Sequence, residues 1–396
     1  MGKLLFLAHR IPFPPNKGDK IRSFHLLQHL ARRHQVFLGS FVDDPHDWQY
    51  RSQVEALCAE VCLRPLAPRR AKLRSAMGLV TGEALSLPYY RDPEMQRWVD
   101  QTMTRAGIDH VVVYCSSMAQ YVDHERYRGT RRILDVVDVD SDKWRQYAQS
   151  KSGPIAWIYR READRLLAYE RGIAARFDAS LFVSAAEAEL FRRLAPEVAE
   201  KVGHYNNGVD TAYFDPARIS ESPYPPGGPV LVFTGAMDYW ANAEAVQWFA
   251  DQVFPRLRAR RPDLRFFIVG SKPSESVLAL ARREGITVTG RVPDVRPFLQ
   301  HAALAVAPLR IARGIQNKVL EALAMARTVV CTSAAAEGLQ PEDWLNAAVR
   351  DDADEFAEAV LERLSGQPND IGRDYVLKHY SWDSHLAGVD RLLALP

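Results

Sequence analysis

The chain contains the stretch Ala307-Pro308-Leu309-Arg310-Ile311-Ala312-Arg313-Gly314-Ile315-Gln316-Asn317-Lys318-Val319-Leu320-Glu321-Ala322-Leu323-Ala324-Met325-Ala326. It follows a short apolar run of strand length, and Gly314 separates that run from a helical pattern. The apolar residues beyond the glycine recur at the spacing of one helix face: Ile315, Val319, Leu320 and Leu323. Lys318 and Glu321 are three residues apart and can share the polar face. The stretch therefore predicts a strand followed by a helix that opens at Gly314.

The same alternation of short apolar runs and longer helical patterns extends in both directions from this stretch. The predicted strands of the first half are Lys3–Ala8, Val36–Phe41, His110–Tyr114, Arg132–Val137 and Ala179–Ser184. Those of the second half are Pro229–Thr234, Arg265–Val269, Ile286–Thr289, Leu304–Ala307, Thr328–Cys331 and Ala347–Val349. Two such series predict an α/β protein with two doubly wound, Rossmann-like domains facing each other across a cleft.

The predicted boundary between the two series lies near Asn206, ahead of a connector rich in Pro, Ser and Gly. We therefore expect domains at residues 1–205 and 206–380. Residues 381–396 begin with a possible Ser381 cap and continue as an amphipathic helix. We expect this helix to pack back onto the first domain.

Composition and charge exclude several classes of protein. The 396 residues carry 51 Lys+Arg against 49 Asp+Glu, so the formal net charge is +2 and there is no broad basic field to attract nucleic acid. Four cysteines are too few for a disulfide framework and lack metal-ligand spacing, so we expect neither disulfides nor a metal. The first apolar run is too short for a signal sequence and no window is long enough for a membrane span, which predicts a cytoplasmic protein.

Candidate site residues follow two predicted strands of the first half, where doubly wound folds bind ligands. After the first strand, Gly18 stands at a predicted helix start, whose N–H groups suit an anion, although the same position could simply cap the helix. After the fourth strand, four carboxylates crowd together: Asp135, Asp138, Asp140 and Asp142. Asp138 is the strongest functional candidate because like charges so close need a ligand, a cation or water to relieve them, whereas the two later ones could cap the next helix.

Three glycine-bearing loops end strands of the second half and should converge on one rim. They contain Gly235, Gly270 and the run Gly290-Arg291-Val292-Pro293-Asp294. The helix that opens at Gly314 offers N–H groups and a favourable dipole to a diphosphate, and Lys318 adds a positive charge one turn in. The alternative for Lys318 and Glu321 is an ordinary surface ion pair.

Six motifs spread over nearly the whole chain carry a resemblance to a known family. They are Pro12–Arg22, Asp135–Trp144, Asn207–Asp210, Val288–Pro297, Gly314–Ala322 and Tyr380–Trp382. With these motifs the chain resembles the family 4 retaining glycosyltransferases of the GT-B fold. More narrowly, it resembles the bacterial sugar transferases associated with exosortase/PEP-CTERM exopolysaccharide systems.

The resemblance implies transfer of a sugar from a nucleotide-sugar donor, with retention and without metal or cofactor, to a glycan or lipid-linked glycan. Gly18 matches a backbone loop near the donor phosphate and the acceptor. Gly314 and Lys318 would hold the diphosphate, and Glu321, the second Glu of the family's paired-Glu motif, would lie by the ribose or sugar ring. Residues 291–294 would lie by the base, and Gly235 and Gly270 would complete the donor loops.

Three positions depart from the family pattern. Arg313 stands where the first Glu of the pair is expected, so we count it among the donor-binding residues. Family members often carry a His where Asp138 stands, and we give Asp138 an orienting or proton-accepting role toward substrate hydroxyls. The loop after Gly235, which often carries Arg and Lys in the family, here reads Asp238-Tyr239-Trp240. The catalytic candidates are therefore Asp138, Lys318 and Glu321.

Two other functions are compatible with these residues. A nucleotide-sugar epimerase of the same fold would turn over the donor without an acceptor, and a nucleotide-sugar-binding module would bind it without forming a product. A dehydrogenase is disfavoured because neither first strand is followed by GxGxxG with a later acidic residue.

The segment Arg69–Val80 bears on the acceptor. It mixes four cations with apolar residues, a composition typical of segments that lie on anionic lipid, although a solvated helix face would read the same way. The lipid interpretation predicts a peripheral protein at the inner face of the cytoplasmic membrane.

Overall fold

The computed structural model describes residues 2–15, 18–149, 152–218, 221–312, 315–346, 348–364 and 367–394. The chain forms two compact units, one of residues 1–207 together with 385–396 and one of residues 208–384. The sequence predicts the two boundaries between the units after residues 205 and 380, whereas the structure has them after residues 207 and 384. Each unit has its own parallel β-sheet and its own apolar core.

Unit 1 contains a seven-stranded sheet in which every neighbouring pair is parallel. Its strands are β1 (Gly2–Ala8), β2 (His34–Val42), β3 (Glu60–Pro65), β4 (His110–Tyr114), β5 (Arg131–Val137), β6 (Ala179–Phe182) and β7 (Val202–His204). The sheet order is β3-β2-β1-β4-β5-β6-β7, so the strand order reverses between β1 and β4. Ligands bind at such a reversal in doubly wound sheets, beyond the carboxyl ends of the strands.

Nine helices connect the strands of unit 1 within its described residues. They are α1 (Gly18–Ala31), α2 (Arg51–Glu55), α3 (Pro68–Ala76), α4 (Gly78–Thr81), α5 (Ser86–Tyr89), α6 (Pro93–Ala106), α7 (Asp140–Gln149), α8 (Gly153–Arg176) and α9 (Ala185–Leu194). Sequence explains their ends: α6 begins after Asp92, whose side chain accepts from the N–H groups of Glu94 and Met95, and ends at Gly107 with φ of 64°.

Unit 2 repeats the plan with five parallel strands. They are β8 (Val230–Thr234), β9 (Arg265–Val269), β10 (Ile286–Gly290), β11 (Leu304–Ala307) and β12 (Val329–Cys331), in the order β10-β9-β8-β11-β12. Its helices are α10 (Trp240–Trp248), α11 (Phe254–Arg260), α12 (Glu275–Ala279), α13 (Arg296–His301), α14 (Asn317–Ala324), α15 (Ser333–Ala336), α16 (Asp343–Asn346), α17 (Ala353–Glu362) and α18 (Asp370–His379). A π-helical segment, Phe249–Val253, joins α10 to α11. The strand order reverses between β8 and β11.

The last helix, α19 (Trp382–Ala394), contributes its residues from His385 onward to unit 1. His385 Nδ1 bonds the carbonyl oxygen of Asn206 at 2.8 Å. Asp390 lies 2.9 Å from both His29 Nε2 and Arg33 NH1. These contacts fix the helix against the body of unit 1.

The α/β class with two doubly wound sheets is confirmed, and three details of the prediction are wrong. The edge strands β3 and β7 were not predicted. Residues 347–349 form no strand in the described chain, because Val349 makes only a single bridge to Cys331 and Ala347 lies outside the described residues. The predicted helix start at Gly314 also lies outside them, and α14 begins at Asn317. Among the helices described, none is both long and apolar enough to cross a bilayer.

Candidate functional site

A pocket of about 600 Å³ lies in unit 2 where β8, β9 and β10 end and α14 begins. Its walls include six residues that the sequence predicts for the donor site: Gly235, Gly270, Arg291, Val292, Lys318 and Glu321. The position is the one expected for a ligand, beyond the carboxyl ends of parallel strands and beside their reversal.

Backbone hydrogen bonds tie the three glycine-bearing loops together. The N–H of Gly235 donates to the carbonyl of Val269 at 3.0 Å, and that of Gly270 donates to Gly290 at 3.2 Å. A Cβ on Gly270 would lie 1.6 Å from the carbonyl oxygen of Gly235, so only glycine fits where these loops approach. The loops therefore form one rigid wall with exposed backbone.

The first turn of α14 forms the opposite wall. Gln316 is its N-cap residue, and Gln316, Asn317 and Lys318 all line the pocket. The N–H groups of a first helical turn have no partner within the helix, and the helix dipole places partial positive charge there. This wall suits an anionic group such as a phosphate.

Lys318 and Glu321 face the pocket as a half-buried pair of opposite charge. Burial lowers the pKa of Lys318 to about 8, and the Glu321 carboxylate opposes that change. Burial likewise raises the pKa of Glu321 to about 7, against the effect of Lys318. Lys318 Nζ also lies 5.5 Å from the centre of the Phe233 ring. The pair is desolvated, which distinguishes it from the surface ion pair considered as the alternative.

Other predicted donor residues lie elsewhere or outside the described residues. Asp294 does not line the pocket, because Arg296 binds its carboxylate with an Nε–Oδ1 distance of 3.0 Å and an NH2–Oδ2 distance of 2.6 Å. Partial burial opposes ionisation of Asp294, but these hydrogen bonds hold its pKa below the ordinary value. Arg313 and Gly314 lie outside the described residues. Arg310, a further cation of the same stretch of sequence, pairs with Glu244 at 3.3 Å.

Sequence reasoning missed several lining residues, among them Ser271, Tyr239, Gln316 and Asn317. Ser271 directly follows Gly270, and the last two directly precede Lys318, so adjacency to predicted residues could have found them. Lys272, the next cation after this loop, pairs with Asp238 at 3.1 Å. Lys318 and Arg291 are the cations that line the pocket in the described chain.

In unit 1, the carboxylates crowded at the end of β5 contact cations. Asp135 is buried and accepts from Arg22, with an Nε–Oδ2 distance of 3.0 Å, and from the Tyr205 hydroxyl. Lys143 Nζ lies 2.7 Å from Asp138 Oδ2 and 3.1 Å from Asp140 Oδ1. Asp138 keeps a third of its side chain exposed, so it remains available to a ligand.

The loop after β1 has a mainly structural set of contacts. Gly18 begins α1, and Asn16 and Lys17 lie outside the described residues. Asp19 accepts from Arg10 at 2.6 Å, and Lys20 forms a buried pair with Asp47 at 2.5 Å. The charged residues of this motif therefore hold unit 1 together. No group of three His, Cys, Asp or Glu side chains gathers into a possible metal site within the described ranges; metal independence stays a prediction.

The comparisons with known proteins agree with this architecture. The family model for "Glycosyl transferases group 1" matches residues 228–365, which contain the whole pocket of unit 2. A crystal structure of a glycosyltransferase from Rickettsia africae matches 99% of this chain and 98% of its own, with a TM-score of 0.63 and 12% identity. The chain has the GT-B fold, with a group 1 glycosyltransferase domain in unit 2.

Two further solved structures share this fold. Anabaena Alr3699/HepE in complex with UDP matches at a TM-score of 0.64 and 13% identity, covering 99% of both chains. The same protein is also known with UDP-glucose bound. Sucrose-phosphate synthase from Thermosynechococcus elongatus matches at a TM-score of 0.59 and 16% identity, covering 99% of this chain and 98% of its own. No curated protein matches the sequence.

Proposed function

We propose that the chain transfers a sugar from a nucleotide-sugar donor, with retention and without a metal, to a glycan or lipid-linked glycan acceptor. The observation that carries this proposal is the unit 2 pocket, where tightly joined glycine loops face a helix start with Lys318 and Glu321. A GT-B neighbour bound to UDP-glucose supports a uridine nucleotide as the first donor to try. The motifs further support a place in family 4 and a role in exosortase-associated exopolysaccharide synthesis.

The residues of unit 2 divide the work of donor binding. Lys318 and the first-turn N–H groups of α14 bind the diphosphate, and they stabilise its charge as it leaves the sugar. Gly235 and Gly270 let backbone approach the donor closely. Arg291 and Val292 lie by the base, and Glu321 accepts from hydroxyls of the ribose or the sugar.

Asp138 of unit 1 acts on hydroxyl groups in this proposal. Its contact with Lys143 orients the carboxylate while a third of the side chain remains exposed. A carboxylate in that state can accept a hydrogen bond or a proton from a sugar hydroxyl. Retention with an oxocarbenium-like sugar then depends chiefly on leaving-group stabilisation by Lys318 and α14.

Donor binding is tested first by thermal shift with UDP-glucose and other nucleotide sugars, because a ligand that binds only the folded state raises the melting temperature. Lys318→Met should weaken binding about 10- to 100-fold, as expected for loss of a charged hydrogen bond. Lys272→Met is the matched control, since Lys272 pairs with Asp238 and does not line the pocket. No shift with any nucleotide sugar, or equal loss in both variants, would overturn the donor site.

Product analysis then separates the three activities. With donor and a panel of glycan acceptors, a transferase forms a glycoside with the donor's anomeric configuration. An epimerase converts the donor alone, and a binding module forms no product. Asp138→Asn should reduce transfer by orders of magnitude without changing donor affinity; unchanged transfer by Asp138→Asn or Lys318→Met contradicts the assigned roles.

The proposal includes contact with an anionic membrane surface through Arg69–Val80. This segment forms α3 and α4, where Leu73 and Val80 are exposed by 76% and 91% and where residues 68–82 contain no carboxylate. The protein should cosediment with phosphatidylglycerol vesicles and not with phosphatidylcholine vesicles. Equal behaviour with both, or no binding to either, contradicts the membrane role.

A further inference from the structure

Unit 1 contains a second pocket of about 550 Å³ that the donor site leaves unexplained. His9, which follows β1, and residues 115–117, which follow β4, form its floor. The strand order of this sheet reverses between these two strands. The pocket therefore lies at the position where a doubly wound sheet binds a ligand.

Aromatic rings form one wall of this pocket. The Trp144 ring centre lies 5.9 Å from that of Tyr147, also in α7. It lies 5.2 Å from that of Tyr159 in α8, so this contact joins the two helices. Tyr89 and Tyr90, 4.9 Å apart, also line the pocket. Such a lining binds apolar or flat ligand surfaces.

The charged lining residues of the pocket balance, with Lys72 and Lys143 against Asp140 and Glu162. Lys143 contacts both Asp140, which lines the pocket, and Asp138 beside it, so two carboxylates share one ammonium group. Burial opposes the charge on Lys143, but the two carboxylates raise its pKa above the ordinary value. Sugar hydroxyls can donate to the carboxylates and accept from the ammonium group.

Polar and aromatic lining residues follow one another along α7. Asp140 and Lys143 lie in its first turn, next to the end of β5, and Trp144 and Tyr147 lie in its second. At 1.5 Å per residue, Asp140 and Tyr147 are about 10 Å apart along the helix axis. The pocket thus has a hydroxyl-binding part and an apolar part at a separation that suits an amphiphile.

The elements around the apolar part expose large hydrophobic side chains. Ser75 of α3 and Ile158 of α8 line the pocket, and on the same elements Leu73 and Trp157 are 76% and 58% exposed. Arg161 of α8 donates to the carbonyl of Gly78 at 2.6 Å, which holds α8 to the start of α4, the helix that follows α3. Four cations and no carboxylate in residues 68–82 make this face complementary to an anionic bilayer.

We propose that the unit 1 pocket binds a glycolipid, with its sugar at Asp140 and Lys143 and its hydrocarbon chain along Trp144, Tyr147 and Tyr159. The inference rests on the proposed function in taking this glycolipid as the sugar acceptor. The sugar then lies beside Asp138, which the proposed mechanism needs for an acceptor hydroxyl. The hydrocarbon chain of the glycolipid extends toward the exposed face of α3 and α8, from which a membrane-embedded molecule can enter.

Calorimetric titration of the full chain with three probes tests the ligand class. Octyl β-glucoside, used below its micelle concentration, should bind saturably with one molecule per chain. Glucose should bind at least about tenfold more weakly because it lacks the apolar chain, and octyl phosphate should bind at least as weakly as glucose because it lacks the hydroxyl groups that donate to the carboxylates. Equal or tighter binding of octyl phosphate overturns the sugar part of the proposal, and absence of saturable octyl glucoside binding overturns the whole.

Variants locate the probe in the pocket. Tyr159→Ala should weaken octyl glucoside binding at least about tenfold, while Tyr159→Phe, which keeps the ring, should bind like wild type. If Tyr159→Ala melts at a much lower temperature, Ile158→Asn tests the same wall from a half-buried position. Trp157→Ala should weaken binding to phosphatidylglycerol vesicles only; loss of octyl glucoside binding by this variant would place the probe on the surface instead.

A donor measurement separates failure of this proposal from failure of the proposed function. The proposed donor site lies in unit 2, so UDP-glucose binding should be unchanged in Tyr159→Ala and about 10- to 100-fold weaker in Lys318→Met. Donor binding without octyl glucoside binding overturns the glycolipid pocket alone. Octyl glucoside binding without any nucleotide-sugar binding overturns the donor site and leaves the glycolipid pocket in place.

Discussion

At the scale of single residues, Lys318 and Glu321 should make donor binding depend on pH. Their pKa values are about 8 and about 7, so both groups lose protons as the pH rises from about 6 to about 9. Each loss makes the pocket less positive, and the affinity for UDP-glucose should fall by up to about tenfold per pH unit per group. Calorimetric titration across this range measures the fall.

Glu321→Gln is the matched variant for this pH profile. It removes one of the two protons and also the carboxylate that raises the pKa of Lys318. In Glu321→Gln the affinity for UDP-glucose should therefore fall with the loss of one proton, that of Lys318. This fall should begin at a lower pH than the loss of the Lys318 proton in wild type. A pH-independent affinity in wild type would contradict the placement of these groups beside the diphosphate.

Glu170 should make the stability of unit 1 depend on pH. It is almost fully buried and accepts from Ser141 Oγ at 2.6 Å, and burial raises its pKa from 4.5 to about 8. Between these values the folded state holds one more proton than the unfolded state, so the free energy of unfolding decreases as pH rises. Glu170→Gln should melt like wild type at about pH 5 and at a higher temperature at about pH 8. Glu189→Gln, an exposed control, should match wild type at both values.

Residue chemistry also explains which site residues were predictable. Gly235, Gly270 and Lys318 follow the carboxyl ends of strands, and the rule that ligands bind there predicts the sheet edge at which these residues line one pocket. Asp294 also follows the carboxyl end of a strand, but its carboxylate is bound by Arg296, two residues further along. The spacing of these residues in the sequence does not predict the direction of the Arg296 side chain. Asp135 and Asp138 read alike in sequence, and only the fold brings Arg22 to the first of them.

At the scale of elements, the contact between the loops after β8 and β9 controls the shape of the donor pocket. A Cβ at Gly270 would meet the Gly235 carbonyl oxygen at 1.6 Å, so Gly270→Ala must separate the two loops. We expect loss of UDP-glucose binding, measured by calorimetry, together with a lower melting temperature. Gly290→Ala is the matched control: nothing lies within 4 Å of its Cβ, and its φ of 69° costs about 1 kcal/mol. Equal donor affinity in both variants would contradict this role of the loop contact.

Central strands were predictable because they are continuous apolar runs, as in β1 and β8, whose buried residues leave no polar alternation. The edge strands β3 and β7 escaped prediction for the opposite reason. β3 reads Glu-Val-Cys-Leu-Arg-Pro and is only half-buried, and β7 has three residues. β3 forms because it pairs with β2, and β7 because it pairs with β6. The local sequence of an edge strand does not predict such a pairing.

At the scale of the whole molecule, two separate cores predict two unfolding transitions that respond to different changes. UDP-glucose should raise only the transition of unit 2, because the pocket in which we propose that it binds lies there. Asp390→Ala removes the contacts of α19 with His29 and Arg33, and should lower only the transition of unit 1 by about 2–4 °C. Wild type and Asp390→Ala are each scanned with and without UDP-glucose, and each of the four calorimetric scans gives the two transitions. If UDP-glucose shifts the same transition that Asp390→Ala lowers, donor binding and α19 act on the same core. That outcome would contradict the division of the chain at Asn207 and Ser384.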